Sequence, residues 1–289
     1  MQNKIIVTGS SGFIGSSLLQ SLRYDHGLKC IGVSRRKASK LLEDVSLDLC
    51  NLLVDDKICA DVSAIIHAAG SAHRKLRKKD LRSVYSNNVR ATVSLAKCAK
   101  KAGVKKFIFL SSVAVYGKSS HDEIITVDEV DPRDIYGRSK YFAETLLRKI
   151  FIHSNTELVI IRLPIVIGEN PPGNLGMICK MAKRNIPIPL SLATSNKRTY
   201  IDCSDLNKVI YKYLTNEIEL PSTCIIGARL PISTYEMVSL VLSKSDLKTK
   251  FLPLNTRLIV FILRLIGRRK MAAQLFGNLE FQCFNTDIK

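Results

Sequence analysis

KIIVTGSSGFIGSSLL, residues 4–19, reads as a buried strand, a glycine turn and the opening of a helix. Ile5, Ile6 and Val7 form a short continuous apolar run, which suits a strand covered on both faces. Gly9, Gly12 and Gly15 follow at intervals of three, and Phe13, Ile14, Leu18, Leu19 and Leu22 recur at near-helical spacing. Glycines in such a turn let backbone N–H groups approach an anion closely, and the positive end of the following helix favours the same charge. The spacing differs from Gly-x-Gly-x-x-Gly. Its place, between a first strand and a first helix, is that of a pyrophosphate-binding turn.

Outward from that stretch, short apolar runs alternate with helical ones. KCIGVSR (29–35), SLDL (46–49), SAIIHAAG (63–70), KKFIFLSSV (105–113) and ELVIIRL (157–163) are expected strands. NNVRATVSLAKCAKKAG (87–103) and YGRSKYFAETLLRKIF (136–151) are expected helices, the first ended by Gly103 in a left-handed cap. The pattern predicts an α/β fold, a Rossmann-like doubly wound parallel sheet over residues 1–162. After Arg162 the texture changes, with Pro164, Pro171, Pro172, Pro187 and Pro189 in quick succession. Residues 163–289 are read as a smaller C-terminal substrate lobe, packed against the first and open to interleaving with it.

The chain has 289 residues, 46% of them hydrophobic, enough to bury a core without staples. Its eight cysteines form no Cys-x-x-Cys pair and no cluster with the five histidines, so they are read as buried thiols rather than a metal site. Only three apolar residues precede the glycine turn, too few for a signal peptide, and the expected location is cytoplasmic. Lys and Arg number 44 against 25 Asp and Glu, a net charge of +19 that favours anionic partners. The densest basic run, HRKLRKKDLR (73–82), carries no recognisable nucleic-acid motif and is read as a solvated helix face. NTRLIVFILRLIGRRK (255–270) is apolar with basic ends, which fits either a core helix with a basic exit or peripheral contact with an anionic membrane.

Chemistry concentrates in two places. Tyr136 and Lys140 stand four apart on the predicted helix, on one face, and Ser112 ends the fifth strand. An ammonium beside a phenol stabilises phenolate, so Lys140 is expected to lower the pKa of Tyr136 and let it exchange a proton with a substrate hydroxyl. Ser112 would hydrogen-bond the same oxygen. At the end of the second strand an acid would hold an adenosine ribose, whereas arginine accommodates a 2′-phosphate. Ser34, Arg35 and Arg36 stand there without an acid, so the cofactor is NAD or NADP, with a slight lean to NADP(H).

TGSSGFIG, HAAG, NNVRAT, FLSSVAVYG, YGRSK and KRTYIDCSDL together resemble the extended short-chain dehydrogenase/reductase family, in its nucleotide-sugar epimerase/dehydratase branch. The resemblance runs in order from about residue 4 to about residue 240. It implies that Ser112, Tyr136 and Lys140 are catalytic, with Lys140 also on the nicotinamide ribose. It implies that Gly9, Gly12, Phe13, Ile14 and Gly15 line the pyrophosphate, that Asp48 and Leu49 flank adenine, and that Ala68, Ala69 and Asn88 lie along the cofactor. Asn174, Leu175 and Arg198 match positions that hold the diphosphate of a sugar nucleotide. His73, after the HAAG element, could approach the sugar but is read as a structural or solvent-facing side chain on a basic helix. It also implies a homodimer through the helices near 88–102 and 137–152.

The expected activity is NAD(P)-dependent chemistry at C4 of a UDP-hexose: a 4-epimerase working through a 4-keto intermediate, in surface polysaccharide biosynthesis. The alternative is a 4-ketoreductase of a UDP-4-keto-6-deoxy-hexosamine, which the arginines at 35 and 36 favour. A dehydratase would place an acidic pair where Val113 and Ala114 stand. A non-catalytic dinucleotide-binding regulator is a further alternative, against which the intact serine, tyrosine and lysine set speaks. If the segment near 258–270 touches a membrane, a lipid-diphosphate-linked sugar becomes a candidate substrate.

Overall fold

The structure is a computed structural model that describes residues 4–35, 44–52, 57–70, 81–118 and 121–284. From the N-terminus run β1 (Lys4–Thr8), α1 (Phe13–Gln20), β2 (Cys30–Ser34), β3 (Val45–Ser46) and β4 (Val62–His67). Then come α2 (Leu81–Tyr85), α3 (Ala91–Lys101), β5 (Lys106–Ser112), α4 (Ile135–Phe151) and β6 (Glu157–Leu163). The remainder forms β7 (Ile165–Ile167), α5 (Gly173–Lys183), β8 (Tyr200–Asp202), α6 (Cys203–Leu214), β9 (Thr223–Ile225), α7 (Thr234–Lys244), α8 (Thr256–Leu265) and α9 (Arg269–Phe276).

The strands form a parallel sheet in the order β3-β2-β1-β4-β5-β6-β9, a Rossmann-type arrangement whose direction of winding reverses between β1 and β4. Ligands collect at the carboxyl ends of strands flanking such a reversal. Alternation along β1 sends Ile5 and Val7 to one face, where Leu18 of α1, Leu22 just after it, and Leu206, Val209 and Ile210 of α6 cover them. Ile6 goes to the other, under Leu95 and Ala99 of α3 and Ala143 and Leu147 of α4.

Sequence and structure part company at three places. The strand expected at 46–49 lies earlier, at Val45–Ser46, because the Asp48 side chain accepts the Cys50 N–H at 3.0 Å and turns the chain out of the ladder. The seventh strand, β9, comes from beyond residue 163 and pairs with β6, while β7 and β8 make a separate parallel pair. Helix α8 is not a core helix, since none of its residues is buried. Gly103 does take the left-handed cap, at φ +70°, and the eight cysteines are free thiols, seven of them buried.

Two buried polar systems lock the elements that carry the chemistry. Glu144 on α4 is fully buried. It accepts from Ser111 Oγ at 2.5 Å and pairs with Arg162 Nη2 at 2.7 Å, while Arg162 Nη1 donates to Val127 O at 2.6 Å and Tyr116 Oη at 3.1 Å. This ties α4 to β5 and β6. The second system starts where Thr8 and His67 face each other across β1 and β4. Thr92 Oγ1 donates to Asn88 O at 2.7 Å, so it accepts from His67 Nε2–H at 2.8 Å. Nδ1 of the neutral ring therefore accepts the Thr8 hydroxyl at 2.7 Å, and Thr8 Oγ1 in turn accepts the Ala69 N–H at 3.2 Å. Burial, with the Lys140 charge adding to it, pulls His67 down to about 3.

Glu144→Leu leaves Arg162 buried without its counter-charge and should cost about 3–5 kcal/mol in urea unfolding, much of it recovered in Glu144→Leu/Arg162→Met. For His67 the unfolded chain takes up a proton below about 6.5 and the folded one does not until about 3. Stability should therefore fall as pH drops through that window, with a shallower slope for His67→Gln in thermal melts.

Candidate active site

The turn after β1 is shaped by steric closeness. Gly9 has φ +68°, and a Cβ on it would stand 2.8 Å from the backbone N and Cα of Ala69, so the turns after β1 and β4 touch. Helix α1 starts at Phe13 with Gly12 as its N-cap, with no side-chain cap and no acidic residue in its first turn. Its positive end is thus presented to an anion without internal competition, and the cradle fits a dinucleotide pyrophosphate. Gly15 is buried, and Phe13 and Ile14 are half-buried. A Cβ on Gly168, just past β7, would meet the Phe13 ring at 3.3 Å, so the C-terminal half reaches the same turn.

Towards the adenosine end, Ser34 is buried at the tip of β2 and Arg35 is exposed after it; Arg36 and His73, like most of the basic run at 73–82, lie outside the described residues. Asp48 is exposed and Leu49 packs into the core with Val62 and Leu95. A carboxylate that sequence reasoning missed lies beside β2: Asp44 accepts from Gly32 N at 3.0 Å and pairs with Arg23 at 2.6 Å. It lies against the middle of β2, 12 residues along the chain from Gly32, and no local pattern announced it.

The reactive trio is assembled by the start of α4. Asp134 caps that helix by accepting the Gly137 N–H at 2.7 Å. A Cβ on Gly137 would lie 2.9 Å from the Ala114 carbonyl carbon, so only glycine lets the first helical turn press on the turn that follows Ser112. Tyr136, in that first turn, is thereby set near Ser112, whose side chain acts to lower the pKa of the phenol. One turn on, Lys140 is buried, its Nζ donating to Leu110 O at 2.9 Å and standing 4.6 Å from the Phe109 ring centroid. A Cβ on Gly70 would lie 3.3 Å from both Lys140 Nζ and Asn88 Oδ1. Asn88 Nδ2 donates to Ser139 Oγ at 3.0 Å, which donates to Tyr136 O at 2.7 Å. Ala68, Ala69, Asn88, Ser112, Tyr136 and Lys140 therefore converge at the carboxyl ends of β4 and β5.

The electrostatics correct one expectation. Burial pushes Tyr136 up to about 12, partly offset by the Ser112 hydrogen bond. Burial pulls Lys140 down to about 8 against the opposing influence of Glu144. Lys140 does not lower Tyr136 in this structure, because its ammonium is engaged by the Leu110 carbonyl and the Phe109 ring instead of the phenol.

The candidate substrate residues meet through α9, which sequence reading had not singled out. Asn174 and Leu175 lie in the first turn of α5, and Asn174 Nδ2 donates to Gln274 Oε1 at 3.2 Å. Arg198 is buried, with Nη1 donating to Gly277 O at 2.8 Å and Ala273 O at 3.4 Å. Among the described residues its Nε has no partner and no carboxylate faces it, and burial brings the guanidinium down to about 10. A buried cation held only by carbonyls is a ready receptor for phosphate.

Similarities to known proteins bear on this geometry. The model of the NAD dependent epimerase/dehydratase family matches residues 5–227. The UDP-glucose 4-epimerase of Vibrio cholerae is 30% identical over 294 residues, spanning 99% of this chain and 89% of that protein. The N-acetyl-alpha-D-glucosaminyl-diphospho-ditrans,octacis-undecaprenol 4-epimerase of Escherichia coli O157:H7 is 30% identical over 185 residues, 62% of this chain and 54% of that protein. In fold, the chain is similar to MoeE5 in complex with UDP-glucose and NAD, with a TM-score of 0.72 at 22% identity over 99% of this chain and 90% of that one. With its glycine cradle, its convergent serine, tyrosine and lysine, and these matches over most of its length, the chain belongs to the NAD dependent epimerase/dehydratase family of short-chain dehydrogenase/reductase enzymes.

Proposed function

We propose that this enzyme inverts C4 of a UDP-hexose through a 4-keto intermediate, in the supply of sugars for surface polysaccharide. The observation that carries the reading is the meeting of Tyr136 and Ser112 within one turn of Lys140, beside the glycine cradle. The epimerase names of the Vibrio cholerae and Escherichia coli relatives support it. Gly9, Gly12, Phe13, Ile14 and Gly15 would hold the cofactor pyrophosphate, and Ala68, Ala69 and Asn88 its middle. Ser34, Arg35, Asp48 and Leu49 would serve the adenosine end, and Lys140 the nicotinamide ribose. The bound nicotinamide supplies reversible hydride acceptance. NAD is the cofactor in this reading, as in the MoeE5 complex.

Within the chain, Tyr136 moves the proton at the C4 oxygen and Ser112 holds that oxygen by hydrogen bonding. A phenol near 12 stays protonated at neutral pH and would give its proton to the more basic alkoxide that develops at the C4 oxygen. For the oxidative half it must be made more acidic, which Lys140 accomplishes by turning from Leu110 O towards the phenol. Residues 163–289 act as the substrate lobe, with Arg198 as the diphosphate receptor and Asn174 and Leu175 beside it. A homodimer through the helices near 88–102 and 137–152 fits the exposed Tyr141 and Phe142 of α4.

The alternative, NADPH-dependent reduction of a 4-keto-6-deoxy sugar nucleotide, is favoured by Arg35 at the tip of β2. A lipid-diphosphate-linked sugar is a second substrate reading, favoured by the exposed apolar face of α8.

Purified enzyme given NAD and UDP-hexoses should invert C4 with no net change in reduced-nicotinamide absorbance; stoichiometric loss of NADPH absorbance would identify the reductase instead. Tyr136→Phe should lower kcat by about 10³-fold, and full turnover by that variant would remove the mechanism. Arg198→Gln should weaken UDP binding roughly tenfold to hundredfold in calorimetric titrations while leaving NAD affinity unchanged. Equal UDP affinity would take Arg198 out of the site.

A further inference from the structure

Helix α8 carries an apolar stripe that is largely exposed to solvent. Leu258, Phe261, Ile262 and Leu265 fall at i, i+3, i+4 and i+7, the spacing that marks the buried side of an ordinary surface helix. Here they are 53%, 58%, 47% and 69% exposed, and Ile266 after them is 60% exposed. The helix leans on α9 through its other side, where Ile259, Val260 and Leu263 are half-buried. Such a stripe on a helix end, continued by the exposed Leu252 and Leu254, is apolar surface that water disfavours.

The charge around the stripe has one sign. Between Leu247 and Leu279 stand Lys248, Lys250, Arg257, Arg264, Arg268, Arg269 and Lys270, without one aspartate or glutamate. Arg257, Arg264, Arg268 and Arg269 are exposed, and none has a carboxylate partner among the described residues. Arg257 and Arg264 line one flank of the stripe and, with Phe261 at its edge and with Asn196 and Phe276, the wall of an open cavity of about 360 Å³. Two copies meeting through this face would bring like charges together, within a chain of net charge +19. No helix among the described residues is long and apolar enough to cross a bilayer.

We propose that α8 is an interfacial anchor: it lies flat on an anionic phospholipid bilayer, with Leu258, Phe261, Ile262 and Leu265 among the acyl chains and the arginines on lipid phosphates. Apolar residues on one side and cations at the flank and exit are what the boundary between acyl chains and headgroups accepts. The consequence is positional. Arg198 reaches its carbonyl partners on and just after α9, the helix against which α8 leans, so docking would hold the substrate lobe at the membrane surface. This inference concerns where the enzyme works and does not depend on which sugar it takes.

The chain contains no tryptophan, so Phe261→Trp in the full-length protein places a lone reporter in the stripe. With vesicles of phosphatidylglycerol and phosphatidylethanolamine its emission should shift to the blue and be quenched by brominated acyl chains, with no such change on phosphatidylcholine vesicles. The otherwise unsubstituted protein should co-sediment with the anionic vesicles, Phe261→Ser/Leu265→Ser should abolish this, and Arg257→Gln/Arg264→Gln should weaken it roughly thirtyfold. Thermal melts identical to the parent would show that these exposed substitutions leave the fold intact. Absence of co-sedimentation at low salt, equal binding to neutral vesicles, or an unshifted reporter would overturn the anchor. So would a dimer in light scattering that Phe261→Ser/Leu265→Ser dissolves, since the stripe would then be a protein interface.

Discussion

Thr8 and His67 face each other across the two strands where the sheet reverses, and the hydrogen bonds that begin there hold the site in register. The line runs from the Ala69 N–H through Thr8, the neutral imidazole and Thr92 to the Asn88 carbonyl. From the Asn88 amide it continues through Ser139 to the backbone of Tyr136. Every hydroxyl in it donates once, so the tautomer of His67 follows from its partners. A buried network that is fully satisfied is rigid, and one that loses a member carries an unpaired group at high cost. The strand ends, the helix before α3 and the first turn of α4 therefore cannot shift independently.

The buried charges show a division of labour. Arg162 and Glu144 neutralise one another at 2.7 Å and fasten α4 to the sheet, whereas Arg198 is buried with carbonyls alone and an unpartnered Nε. The first arrangement is complete within the chain. The second is stable only because carbonyl dipoles share the charge, and it retains attraction for an anion. Lys140 is intermediate: burial draws its pKa down to about 8, and a carbonyl and an aromatic ring hold its ammonium within a turn of the phenol. The pKa of Tyr136 is raised by burial, with Ser112 acting against it.

The C-terminal half does more than cap a cleft. It extends the main sheet through β9, sets Gly168 against Phe13 at the glycine turn, and gathers Asn174 and Arg198 around α9. Its outermost helix spends apolar residues on the surface, a placement that costs solubility unless another phase receives them.

Much of this was legible in the sequence because it depends on short-range periodicity and local sterics. The apolar run before Gly9, the glycine spacing, the four-residue step from Tyr136 to Lys140 and the cap at Gly103 are all set by neighbours in the chain, and the sheet that carries them follows from the alternation of strand and helix. What only the tertiary structure decided involves partners distant along the chain. Asp44 reaching Gly32, Gln274 and Gly277 reaching Asn174 and Arg198, and β9 joining β6 leave no local pattern, since their pairing is chosen by packing. The pKa of Tyr136 belongs with these. Sequence places an ammonium on the same helical face, but burial and the Leu110 carbonyl, which are properties of the folded surroundings, determine which way the proton leans.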